Sequence, residues 1–273
     1  MSKMSRLNPL PGLDKDQVKA GLKEVIKDGV ASQTMLTLTA GVFLIAFALK
    51  LGASNVMIGL LAAIPPLTNL VQLPSILLVE KIRLRKKISV YAATISRSFL
   101  LLIGLIPFLW SDRTALAFLF TGLLAHTILN AILVCSWNSW MRDLIPQNQL
   151  GTFFSKRLSF ATIPAILLTL VAGLFIDFWE RHFPDQAIFS YSVLFILGFV
   201  AGIIGSYIIS RIPEPEMVES DNRINLWQLI SLPFKDINYR KLLVFLGSWN
   251  FALNLAGPFF AVYLIRRLGM GMA

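Results

Sequence analysis

The chain has 273 residues, 56% hydrophobic and only 15% charged, with a mean hydropathy of +0.69 and a formal net charge of +10. A soluble domain carries about 25% charged residues, so this shortfall, with its repeated long apolar runs, excludes an ordinary soluble domain. It also moves the basic excess away from nucleic-acid binding and into loops between membrane spans.

Residues 1–30 are polar and contain no apolar h-region, so no cleaved signal peptide is read. Within them, residues 14–28 have the pattern of a short amphipathic helix lying on the cytoplasmic surface. Span 1 covers residues 31–49, with Gln33, Thr37 and Gly41 at i, i+4 and i+8 on one small, polar face. Span 2, residues 55–79, carries Pro65-Pro66, which predicts a kink, and Asn69, Gln72 and Ser75 on one face. Each span has the roughly 20 apolar residues needed to cross a bilayer.

The heptapeptide KIRLRKK (81–87) follows, five of its seven residues basic. Short cytoplasmic loops accumulate Lys and Arg, so this loop is placed inside. Span 3 is residues 88–110, with Arg97 in its interior, and residues 111–113 form an outer turn. Span 4, residues 114–137, holds His126 and Asn130 four apart. A polar inner loop, 138–157, leads to span 5 at 158–178. An outer loop at 179–185 precedes span 6 at 187–210. The lone cysteine, Cys135, lies in an apolar run and excludes an intrachain disulfide.

Residues 211–241 form a long polar stretch opening RIPEPE, whose Pro213 and Pro215 stop the helix. Inside it, Leu226, Trp227, Leu229, Ile230 and Phe234 alternate with polar residues and predict an interfacial helix. Span 7 covers 242–265. The nominal inner segments hold nineteen basic residues against five outside, which places the N-terminus in the cytoplasm of a multi-pass protein of the cell membrane. The divisions are therefore a cytoplasmic segment (1–30), a six-helix transmembrane bundle (31–210), a cytoplasmic linker (211–241) and the first helix of an incomplete second bundle (242–273).

An internal repeat supports that last division. Residues 41–54 (GVFLIAFALKLGAS) and 257–270 (GPFFAVYLIRRLGM) share a Gly, a Phe two residues on, an apolar run, a basic residue and Leu-Gly. Two related halves predict such a pattern.

With this layout the chain resembles the N-terminal half of a major facilitator superfamily transporter, plus the first helix of the second half. The family's loop between spans 2 and 3 carries an acidic–basic pair and a terminal basic cluster. Glu80-Lys81 and Arg85-Lys86-Lys87 match these, while Ile76 and Arg83 stand where the family has glycines and Glu80 replaces its usual Asp. Residues 137–157 (WNSWMRDLIPQNQLGTFFSKR) resemble the loop after span 4 in bacterial members of unassigned substrate. The resemblance implies a secondary transporter that moves a small solute by alternating access, with no cofactor and no catalytic role. It also implies a missing C-terminal half or a second copy as partner. A transport-inactive fragment and, at a distance, a multi-pass membrane enzyme are the alternatives, the enzyme disfavoured by two His and an isolated Glu180 and Asp185.

The candidate pathway residues are Arg97, His126, Asn130, Gln33, Asn69, Gln72, Asn250 and Asn254. A charge as deep as Arg97 should face protein or a wet cavity, either as an anion-attracting group or bonded to carbonyls or to Asn69 and Gln72. His126 reads as a proton relay or as a neutral helix contact. Asn250 and Asn254 read as ligand contacts or helix glue. In the resembled family a rim of mixed charge locks the cytoplasmic side. Here Glu80, Lys81, Arg85, Arg142, Asp143 and Arg157 form that set, with Glu80 expected to pair with Arg142. No carboxylate is read well inside a span, Asp177 being at the outer end of span 5. An anionic or neutral polar solute is therefore favoured over a cation. No metal site is read.

Overall fold

A computed structural model describes residues 7–110, 112–217, 231–232, 234–268 and 271. The chain is all-α: among these residues there is no strand, and one isolated parallel bridge joins Leu10 to Pro215. In lipid, backbone groups must be satisfied within the chain, so long apolar runs become helices. Among the described residues, seven segments are long and apolar enough to cross a membrane. Ser111, the residues 226–230 of the predicted interfacial helix and Met270 of the repeat lie outside the described residues; Phe234 is described and exposed.

The first helix, α1 (Lys15–Thr39), joins two elements that the sequence reading kept apart, a surface helix and span 1. A reciprocal cap starts it: the Gln17 N–H donates to Asp14 Oδ1 (2.7 Å), and the Asp14 N–H donates to Gln17 Oε1 (3.1 Å). The helix runs on to Thr39; Ala40 is extended, and Gly41 takes φ +60°. Helix α2 (Gly41–Lys50) then resumes. A Cβ on Gly41 would meet nothing within 4 Å, so Gly41→Ala tests the backbone alone. It should cost about 1 kcal/mol, read as a fall in melting temperature in detergent.

Helix α3 (Asn55–Thr68) contains Pro65 and Pro66. Neither can donate a backbone hydrogen bond, and the chain tightens into a 3₁₀ turn, Asn69–Val71, before α4 (Gln72–Ile82). Where the sequence predicts a kink, the helix changes from α to 3₁₀ winding, three residues beyond the prolines. The basic loop shrinks to Arg83 and Leu84 between α4 and α5 (Arg85–Leu109). Arg83 takes φ +53°, the left-handed angle that Gly adopts more readily, and the tight turn forms without glycine.

Helices α6 (Asp112–Leu144) and α7 (Leu150–His182) have 33 residues each. At 1.5 Å per residue each is about 50 Å long, well beyond a hydrocarbon core of about 30 Å. The inner loop expected at 138–157 is thus mostly helix, pinned by buried Trp140, Met141 and Leu144. Hydropathy marks where lipid contact ends, not where the helix ends. Helix α8 (Ala187–Ile209) and a final helix, α9 (Ile237–Arg266), complete the described chain.

Helix α5 lies against α6 and α8, α1 against α8 and α7, and α3 and α4 against α6. Helix α9 rests on α2 and α3. Helix α7 exposes Ile163, Leu167, Leu170, Val171 and Leu174, an apolar surface that soluble monomers avoid and lipid would cover. Inside, two apolar clusters are buried. One gathers Phe47, Ile58, Leu100, Ile103, Leu119 and Phe195. The other gathers Val25, Ala93, Trp140, Met141 and Ile209 at the end where α5 begins and α6 and α8 finish. We call this the near end. Between the clusters runs a polar layer.

Candidate functional site

The polar layer is centred on Arg97, the middle residue of α5 and only 3% exposed. Its Nη1 donates to the Gly202 carbonyl (2.5 Å) and to Ser206 Oγ (2.9 Å) on α8. Its Nη2 donates to Ser32 Oγ (3.1 Å) on α1. Ser32 in turn donates to Asp28 Oδ1 (3.1 Å). Asp28, 2% exposed, also accepts from Arg157 Nη2 (3.3 Å) on α7. The Arg157 Nε donates to the Val25 carbonyl (3.2 Å), and its guanidinium lies 4.9 Å from the ring centroid of Trp137. Three helices therefore meet through Arg97, Ser32, Asp28 and Arg157.

These residues line a cavity of about 240 Å³ with Asn130, Trp137 and Asn138 of α6. It extends from mid-height toward the near end. The sequence reading found no carboxylate well inside a span; Asp28 lies three residues ahead of the apolar run but is buried on the continuous helix α1. Asp28 was assigned to the N-terminal segment because the apolar run begins at Ala31. On a continuous helix, Asp28, Ser32 and Met35 share one face by i, i+4, i+7 spacing, and that spacing was the available signal. Arg157, expected at the rim, instead stands in this cavity. Asn69 and Gln72 do not reach Arg97: Gln72 Nε2 donates to Asn69 Oδ1 (3.1 Å), with Asn69 exposed. Gln33 is half-buried and outside the lining.

Close helix approach makes room for the arginine. Gly198, Gly202 and Gly205 fall on one face of α8, toward α1 and α5. A Cβ at 205 would stand 2.9 Å from Arg97 Nη1 and 3.4 Å from Asp28 Oδ1. Gly205→Ala should therefore cost about 1–3 kcal/mol by overpacking. Gly151→Ala, where a Cβ meets nothing within 4 Å, is the control. Thermal unfolding in detergent compares the two.

His126 sits one turn from Asn130 but bonds elsewhere. Its Nδ1 is 2.9 Å from the Ser96 carbonyl, and Ser96 Oγ donates to the His126 carbonyl (2.8 Å). A carbonyl only accepts, so Nδ1 carries the proton. The pair ties α6 to α5 beside Arg97.

A second polar cluster closes the near end. Helix α5 has no side-chain cap from Leu84. Glu214, 1% exposed and 129 residues away, does that work. Its Oε1 accepts from the Arg85 N–H (2.8 Å) and its Oε2 from the Lys86 N–H (3.2 Å). A carboxylate at a helix N-terminus also meets the positive end of the helix dipole. Arg85, fully buried, donates to Glu214 (3.3 Å), to Asp143, to the Ser139 carbonyl (3.1 Å) and to the Pro215 carbonyl (2.8 Å). Trp140 Nε1 donates to the Pro213 carbonyl (3.0 Å), and the Leu10 N–H to the Glu214 carbonyl (2.8 Å). Burial pushes the Glu214 carboxyl above the usual carboxylate range, opposed by the two backbone N–H groups and by Arg85.

Arg85 and Asp143 of the expected rim thus meet directly, and Arg85 is held as well by Glu214, which the sequence reading took only as part of a helix stop. Its signal was a carboxylate held between two prolines. Glu80 is half-buried and Lys81 exposed on the last turns of α4. Among the described residues no ion pair joins Glu80 to Arg142. The Arg142 side chain is largely exposed and reaches Asp143 at 3.8 Å. At the far end Lys50 pairs with Glu180 (3.0 Å), which also accepts from Tyr191 Oη (3.2 Å). Asn250 and Asn254 are exposed and donate to their own helix, to the Leu246 and Asn250 carbonyls (both 2.8 Å). Asn254 also lines a cleft of about 560 Å³ between α9 and α2–α3. Among the described residues no group of three His, Cys, Asp or Glu could hold a metal ion.

Compared with protein-family models, with curated proteins and with solved structures, the chain has no match.

Proposed function

We propose that the chain is the N-terminal bundle, with the first helix of a second bundle, of a major facilitator-type secondary transporter. It moves a small solute across the cell membrane by alternating access. One observation carries this reading: the cavity of Asp28, Arg97 and Arg157, which reaches from mid-height toward the near end, lies between helices long enough to cross a bilayer. Ionisable groups in such a place are costly and mark solute or ion pathways. The near-end clasp of Arg85, Glu214 and Asp143 then acts as the cytosolic closure, tying α5 and α6 to the chain leaving α8. Asp28 supplies the intramembrane carboxylate that coupling to an ion or proton would need.

The exposure of α9 favours a partner for the bundle. Among the residues of α9 whose side chains are described, only Ala261 and Val262 are buried. In a two-bundle transporter, a second half or a second copy covers that helix and completes the site between repeats.

The test is exchange in proteoliposomes. The purified chain, reconstituted densely enough for copies to meet, is loaded with a mixture of small carboxylates, sugars and amines. Efflux is followed by mass spectrometry against protein-free liposomes. At least one solute should leave faster, and Arg97→Met should abolish the difference. Equal efflux of every solute from both preparations would overturn the reading for this chain.

A further inference from the structure

Two guanidinium groups and one carboxylate face one another across the α1–α5–α7 layer, so the cavity keeps one positive charge in excess. All the hydrogen-bond partners of Arg97 are neutral: a carbonyl and two hydroxyls. Asp28 is bonded directly to Arg157, while Arg97 feels its charge without a direct hydrogen bond, Ser32 bridging the two. Trp137 lines the same cavity, and its indole N–H is buried with no acceptor among the described residues. Buried donors without acceptors and buried charges without counter-charge are both unfavourable. What the site lacks is a group that only accepts hydrogen bonds and carries one negative charge.

The cavity's size and walls narrow the choice. About 240 Å³ is the liquid volume of about eight waters, much more than a halide fills. Met35, Leu133, Val134 and Ile209 supply apolar wall.

We propose that this cavity binds a small organic monocarboxylate, its carboxylate held by Arg157, Arg97 and the Trp137 N–H, and its apolar body against Leu133 and Val134. The proposal rests on the transporter reading for its place in a path and names that path's solute class. Asp28 and the ligand carboxylate compete for Arg157. A cation is rejected by the excess charge, and a neutral isostere leaves that charge uncompensated.

The experiment is equilibrium dialysis of the purified full chain in detergent, with micelles alone subtracted. The probes are benzoate, neutral benzamide, cationic benzylamine and chloride. Benzoate should bind saturably and about tenfold or more tighter than benzamide, with benzylamine and chloride not competing. Arg157→Gln should weaken benzoate at least about tenfold. Trp137→Phe, which keeps a ring under Arg157, should weaken it severalfold without lowering the melting temperature. If Arg157→Gln fails to fold, Trp137→Phe and the benzamide comparison still decide. Benzamide binding as tightly as benzoate, no saturable benzoate binding, or unchanged benzoate affinity in either folded variant would overturn the proposal. Exchange of a sugar or amine in liposomes with no benzoate binding would sink this inference and leave the transporter standing. Benzoate binding with no exchange of any solute would do the reverse.

Discussion

Replacing Glu214 with alanine should destabilise the chain by about 3–5 kcal/mol, the cost of breaking a buried ion pair from one side. The substitution strips three bonds at once: two N–H groups at the start of α5 and the Arg85 Nε. The N–H groups of Arg85 and Lys86 lose their acceptor in a place from which water is excluded. Arg85 keeps Asp143 and two carbonyls, so the loss stays below that of a wholly orphaned charge. Glu214→Gln separates the terms. It keeps an acceptor for one N–H and loses the charge, so its cost should fall between wild type and alanine. Thermal unfolding in detergent measures both. A glutamine as damaging as alanine would mean that charge, not hydrogen-bond geometry, dominates the cap.

The second large effect is expected at Asp28. Asp28→Ala leaves Arg97 and Arg157 facing one another across the cavity without a carboxylate, and should also cost about 3–5 kcal/mol. Adding Arg97→Met restores the wild-type net charge of one. The double variant should regain more than half of that loss, a coupling that only neighbouring groups show. Additive losses would mean that Arg97 and Asp28 do not sense one another through Ser32. The same logic predicts that benzoate raises the melting temperature of Asp28→Ala more than that of the wild type, because it supplies the missing charge.

The spans were legible because lipid demands long apolar runs and nothing else in the chain imitates them. Each of the seven predicted spans lies, to within a residue at its ends, inside a segment long and apolar enough to cross a membrane, although span 1 is broken at Ala40 and span 2 at the 3₁₀ turn. Their ends were not legible. Trp140, Met141 and Leu144 continue α6 past the point where hydropathy falls, since a polar helix surface still buries one apolar face against α1 and α5. The same blindness hid Asp28, a charged residue ahead of the apolar run but on the buried side of a longer helix. Arg97 could be read as buried from its position alone, whereas its partners could not. Asn69 and Gln72 were plausible by composition, yet they bond to one another, and Asn69 is exposed. Glu214 was beyond any local pattern, because its function is to cap a helix 129 residues earlier. The glycine row of α8, by contrast, was in plain view at 198, 202 and 205 and passed unread.

The sidedness of the bundle supports every functional statement above, and single-cysteine labelling tests it most directly. In a Cys135→Ser background, Lys87→Cys marks the near end and Asp185→Cys the far end. A membrane-impermeant maleimide is added to sealed right-side-out vesicles. The account predicts that position 185 is labelled at once and position 87 only after the vesicles are permeabilised. Labelling of position 87 from outside, with 185 protected until permeabilisation, would contradict it.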